Sequence, residues 1–210
     1  MVHRGASEDL GQGRSIPWSK LKTRWLYLSS LAGDIDLLSR IVLFAKRKKI
    51  IIAYNPGGKE LRQREKLIGL FAAIQILIVN REEAALITGA PYENEMEIFK
   101  RWDAMSPGIN VMTDARNGVM VSDGTFLYKA GIYKEKAVVD RTGAGDAFAS
   151  GFVASLISFP SDVERAIHLG SANATAKVEG MGAKYGLLTR RQFERSRQWK
   201  RLEMAKQRLY

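Results

Sequence analysis

An α/β fold on a mostly parallel sheet with an antiparallel edge is predicted by two features of the sequence. Between residues 25 and 113, short apolar runs alternate with amphipathic helical stretches, the pattern of a parallel sheet covered on both faces. The alternation then stops, and GVMVSDGTFLYKA at 118–130 sets Asp123-Gly124 between two β-rich runs, a strong short-range hairpin signal.

Taken in order, residues 25–29 (WLYLS) read as a short buried strand. Residues 34–48 follow as an amphipathic helix whose acidic start and basic end suit the helix dipole. The run IIIAY at 50–54 resumes as strand, and NPGG at 55–58 stops it in a turn, which completes one βαβ unit. A helix over 60–73, a strand at 75–79 (QILIV), helices over 82–88 and 93–105 and a strand at 109–113 (INVMT) continue the alternation. Past the hairpin, residues 133–139 lead as a strand into DRTGAGDAFASGF at 140–152. Helices are expected over 144–158 and 162–178, followed by the glycine-rich EGMGAKYG and a basic tail.

With 210 residues, 46% of them hydrophobic, the chain can bury a real core, and without repeat or linker it reads as a single domain over 1–210. It has no cysteine, which excludes disulfides, thiolate zinc sites and cysteine nucleophiles and suits a reducing, cytoplasmic setting. The longest apolar run, 67–79, is interrupted by Gln75 and falls short of the roughly 20 residues a membrane helix needs. MVHRGASEDL at the start carries no apolar core of a secretory signal, so neither membrane nor export is expected. Of the net charge of +11, residues 190–210 hold eight Lys or Arg against Glu194 and Glu203, leaving +6 in that tail. Phe193, Trp199, Leu202 and Leu209 recur there at helical spacing. Residues 189–210 are therefore predicted as a basic C-terminal helix docked on the domain, charges outward, rather than a nucleic-acid-binding arm.

The chemistry concentrates in DRTGAGD. Gly143 and Gly145 allow a tight turn, and the helix behind them carries Phe148, Phe152 and Leu156 on one face. A helix start has up to four unpaired amides, and the aligned dipoles add about half a positive charge there, which suits an anion such as phosphate. Asp146 is then either a helix-stabilising anion or a base held beside a bound one. The P-loop pattern G-x-x-x-x-G-K-[ST] is absent, and Phe148 stands where the dinucleotide fingerprint needs its third glycine.

The full string resembles the second signature of the PfkB-type carbohydrate kinases, the ribokinase-like family, D-x-T-G-A-G-D-x-F-x-x-G. Asp140, Thr142, Gly143, Ala144, Gly145, Asp146, Phe148 and Gly151 all match it. The resemblance implies a ribokinase-like, Rossmann-type three-layer sandwich. It implies an ATP-dependent, Mg²⁺-assisted phosphotransferase acting on a sugar or nucleoside hydroxyl, with Asp146 as general base and the amides of Gly143, Ala144 and Gly145 as the anion hole. Relatives often pair through their lid, which leaves a homodimer and a monomer both open for this chain. Phosphoryl transfer needs positioning and charge neutralisation more than covalent chemistry, so such a toolkit is sufficient.

The same resemblance extends to other stretches. NREEA at 80–84 matches the family's N-x-x-E, which implies that Asn80 and Glu83 organise Mg²⁺, through water, and the nucleotide phosphates. The pair also spells a capping box. TDARNG at 113–118 falls on the family's T-x-G-x-x-G, which implies nucleotide contacts at Thr113 and Gly118, but Ala115 replaces the middle glycine. Asp140 and Thr142, with carbonyls of the 180–186 loop, correspond to a potassium site of many members, and Gly182 of that loop is implied as a nucleotide contact. Ser171 and Asn173 fall on the helix that packs near adenine in relatives. His3 and His168 form no cluster and read as structural or exposed.

The resemblance covers only the C-terminal portion of a family member. The first Gly-Gly signature, the early strands and the β lid over the sugar have no counterpart, and residues 2–10 look like the interior of a relative. A noncatalytic nucleotide-binding or regulatory module with a basic tail is therefore the competing reading.

Overall fold

A computed structural model describes residues 16–209. His3 and the segment 2–10 lie outside the described residues. The described chain is α/β, with seven strands and eight α-helices, and it divides between Asn110 and Val111 into two compact units. None of its described helices is long and apolar enough to cross a membrane.

The first unit holds β1 (Trp25–Leu28), α1 (Ile35–Lys48), β2 (Ile51–Tyr54), α2 (Gly58–Leu61), α3 (Arg64–Phe71), β3 (Ile76–Asn80), α4 (Arg81–Thr88) and α5 (Glu95–Met105). Strand β2 runs parallel to both β1 and β3, with Trp25 opposite Ile51 and Ala53 opposite Ile76. Next, β4 (Ile109–Thr113) begins where the Ile109 amide donates to the Gln75 carbonyl at 2.8 Å. Consecutive burial along β2 and β3 is what two covered faces require. Helix α1 forms as its pattern predicts: Asp34 caps it by accepting from the Leu37 amide at 2.8 Å, and Ile35, Leu38, Ile41, Val42 and Ala45 make the buried stripe.

The helix expected over 60–73 is instead two, broken at Arg62 and Gln63. Glu60, fully buried, turns its carboxylate back to accept from the amides of Leu31, Gly33 and Gly57 and from the Ser30 hydroxyl. Gln63 leaves helical geometry as its Nε2 donates to the Gly33 carbonyl at 2.7 Å. Anchoring of this loop by nonlocal bonds outweighs the local helix preference.

The second unit holds β5 (Val119–Ser122), β6 (Phe126–Ala130), α6 (Ala144–Ser158), α7 (Val163–Val178), α8 (Arg190–Arg195) and β7 (Met204–Arg208). The hairpin forms as predicted, β5 antiparallel to β6, with Asp123 accepting from the amides of Thr125 and Phe126. No strand forms at 133–139. Val139 and Asp140 instead donate their amides to the Val178 carbonyl at the end of α7.

The tail is not one helix. Ser196 takes extended angles after α8, residues 197–199 make a single 3-10 turn, and β7 then pairs antiparallel with β6, Ala130 opposite Met204 and Phe126 opposite Arg208. The backbone groups on that side of β6 would otherwise lack partners, a demand the tail's own helical spacing does not reveal. The buried Trp199 nonetheless packs edge-on against Tyr133, whose hydroxyl donates to the Trp199 carbonyl and lies 2.8 Å from His168 Nδ1. His168 is half-buried, and that burial, the larger influence, holds its pKa below the usual histidine value.

Helices α6 and α7 approach closely. A Cβ at Gly151 would lie 2.6 Å from Asn173 Nδ2 and 3.0 Å from the Leu169 carbonyl, so the last glycine of the 140–151 string is there for packing.

Candidate active site

The loop entering α6 is built by backbone bonds around Asp140. Its Oδ1 accepts from the Thr142 amide at 2.9 Å and its Oδ2 from the Gly182 amide at 3.2 Å. Lys177 of α7, fully buried, donates to the Asp140 main-chain carbonyl at 2.6 Å and lies 3.2 Å from Oδ2. These bonds, led by those from Thr142, hold the Asp140 carboxyl far below the usual carboxylate range.

Gly143 is the N-cap at φ +82°, a left-handed value that favours glycine. Ala144, Gly145 and Asp146 occupy the first turn of α6, where amides have no intrahelical partner. The Ala144 amide is engaged by the Arg141 carbonyl at 3.2 Å. The amides of Gly143, Gly145 and Asp146 donate to no protein group among the described residues. Gly145 and Asp146 are exposed, and no protein group bonds the Asp146 carboxylate among the described residues. A carboxylate beside open amides at a positive helix end can take a proton where the amides meet an anion.

Asn173 and Ser171 are buried on α7. The Asn173 side-chain oxygen accepts from the Leu188 amide at 2.9 Å, which fastens the segment after the glycine-rich loop. In the 113–118 turn, the Asp114 amide donates to the Gly118 carbonyl at 2.9 Å, and Ala115, exposed, sits at φ +45°. Alanine is strained in this left-handed region, which explains in physical terms why a glycine suits the position. Ala115→Gly is expected to raise unfolding stability by roughly 0.5–1 kcal/mol, read from a urea titration.

In the first unit, Asn80 and Glu83 form a complete capping box at the start of α4. Asn80 Oδ1 accepts from the Glu83 amide at 2.8 Å and Glu83 Oε2 accepts from the Asn80 amide at 2.9 Å. Burial, the largest influence, raises the Glu83 pKa. Its Oε1 has no protein bond among the described residues, which leaves an oxygen suited to a magnesium ion held mainly by waters and phosphates.

Two polar anchors escape a reading of the sequence. Lys177 is marked only as the lone cation in the small-residue run SANATAKV, and Glu60 only by its place three residues after Gly57.

A family model for the pfkB family carbohydrate kinases matches residues 24–190. The chain belongs to that family. It is 30% identical over 187 residues to a cytidine kinase of Thermococcus kodakarensis, a match covering 86% of this chain and 64% of that protein. It is 29% identical over 172 residues to a ribokinase of Haemophilus influenzae, covering 80% of this chain and 53% of the relative. The chain thus spans between half and two thirds of the length of these relatives. An Arabidopsis thaliana ribokinase structure, solved with ribose and ATP, superposes with a TM-score of 0.69 at 21% identity, covering 82% of this chain and 55% of that one. That likeness fixes the fold as ribokinase-like.

Proposed function

We propose that this protein is an ATP-dependent kinase that moves the γ-phosphoryl group onto a hydroxyl of a sugar or nucleoside. Asp146 takes the proton of the acceptor hydroxyl, the oxygen attacks phosphorus, and the bond to the leaving ADP oxygen breaks. The amides of Gly143, Ala144 and Gly145 donate to the oxygens of the transferring group, for which Ala144 must give up the Arg141 carbonyl. Asn80 and Glu83 would hold magnesium through water, and that ion would offset phosphate charge. Thr113, Gly118 and Gly182 line the nucleotide side in this reading. Ser171 and Asn173, being buried, shape it from behind.

The observation that carries the proposal is an exposed Asp146 one residue beyond an exposed Gly145 at an open helix start. The relatives' names suggest the acceptors to try, cytidine and ribose first. The test is a turnover panel of nucleosides and sugars with Mg-ATP, alongside nucleotide binding by calorimetry. Turnover of one acceptor supports a kinase. Nucleotide binding without turnover of any acceptor would favour the noncatalytic reading.

A further inference from the structure

The potassium site implied by the family string does not fit this chain. An alkali cation at Asp140 would need its main-chain carbonyl and its carboxylate, and both are already met by a protein cation. Lys177 Nζ donates to that carbonyl at 2.6 Å and stands 3.2 Å from Oδ2, on a side chain with no solvent exposure. An ammonium group and a potassium ion are near-equal in size and bind the same hard oxygens. A second cation placed among these oxygens would be repelled by the ammonium in a partly desolvated site.

We propose that Lys177 is a built-in monovalent cation, a positioning residue whose ammonium holds the turn at residues 140–143 so that Gly145 and Asp146 stay presented, and that the protein needs no potassium. The place of Lys177 explains how this works. Residues 139 and 140 already donate their amides to the Val178 carbonyl. The Lys177 ammonium draws the Asp140 carbonyl to the same end of α7, while Asp140 Oδ2 gathers the Gly182 amide of the following loop. A Cβ on Gly143 would lie 3.4 Å from Ala183, so that loop also backs the turn. One buried charge therefore ties α7, the turn and the 180–186 loop together. The inference rests on the kinase reading for its consequence in catalysis, but not for its consequence in stability.

The test uses the whole chain in potassium-free buffer, with equal tetramethylammonium chloride or KCl added. Wild type is expected to keep its Tm within about 1 °C between the two salts, since no cation site is open to bind. Lys177→Ala, which removes the ammonium and leaves room, is expected to lose about 6 °C or more and to regain a good part of it in KCl only. Lys177→Met, which fills the same space without charge, is expected to lose stability with no recovery in KCl. With an accepted substrate, wild-type turnover should be unchanged by potassium. Lys177→Ala should fall in kcat at least roughly tenfold and recover in KCl, a rescue that a packing defect would not show. Wild type gaining several degrees or severalfold turnover from potassium overturns the proposal. So does a Lys177→Ala protein that is unaffected by the loss or shows no potassium rescue. If that variant does not fold, the wild-type salt comparison and Lys177→Met decide. Should no acceptor be turned over at all, the kinase reading fails while the Tm arm still judges Lys177.

Discussion

Asp146→Asn is expected to cut phosphoryl transfer by about 10²–10⁴-fold in kcat while Mg-ATP affinity stays within roughly twofold. Asparagine matches aspartate in shape and keeps an acceptor oxygen, but it cannot take a proton at neutral pH. The Asp146 carboxylate is exposed and has no protein partner among the described residues, so the exchange removes little that the fold depends on. The loss should therefore fall on the chemical step and not on binding, and steady-state kinetics with calorimetry on the same protein separate the two. Unchanged kcat would place the proton acceptor elsewhere.

Glu60→Ala is expected to be the most destabilising single change at a polar residue, at about 3–5 kcal/mol. Glu60 is fully buried, and its carboxylate serves the amides of Leu31, Gly33 and Gly57 and the Ser30 hydroxyl. Removing it strands those donors and frees the loop after β1 from the turn after β2. Against a total stability of about 5–15 kcal/mol, such a loss leaves the domain marginal. Urea unfolding reads it as a lower midpoint at unchanged slope. A loss under about 1 kcal/mol would mean that water replaces the carboxylate at little cost.

Local pattern made most of the fold legible, and nonlocal demands hid the rest. The string GVMVSDGTFLYKA carries its own turn chemistry, so β5 and β6 form where the sequence places them. Helix α6 spans Ala144–Ser158, the bounds set by Gly143 before it and the end of its apolar stretch. The tail misleads because Phe193 and Trp199 do keep helical spacing, while the fate of residues 204–208 depends on the open side of β6, some seventy-five residues earlier in the chain. The break at Gln63 has the same origin, a carbonyl at Gly33 that no local pattern announces.

In the candidate site, the 140–151 string marked the loop but not what supports it. Its residues divide by physical role: Gly143 for its left-handed backbone, Gly151 for helix packing, Asp140 for fastening the loop and Asp146 for exposure. Lys177 was hidden because burial of a lysine depends on where its helix comes to lie, which composition does not record. Asn80 and Glu83 remained double in meaning, since a capping box and a water-mediated magnesium site use the same two side chains.

The account turns on open amides at the start of α6 receiving the phosphoryl group in flight. Amide proton NMR of the labelled protein tests this directly, comparing Mg-ADP with Mg-ADP plus aluminium fluoride, a mimic of the transferring group, in the presence of an accepted substrate. The account predicts that the Gly143 and Gly145 amides move strongly downfield only with the mimic, and that the Ala144 amide follows as it leaves Arg141. If these signals stay where Mg-ADP alone puts them while the mimic is shown to be bound, the loop is not the anion hole and the account is contradicted.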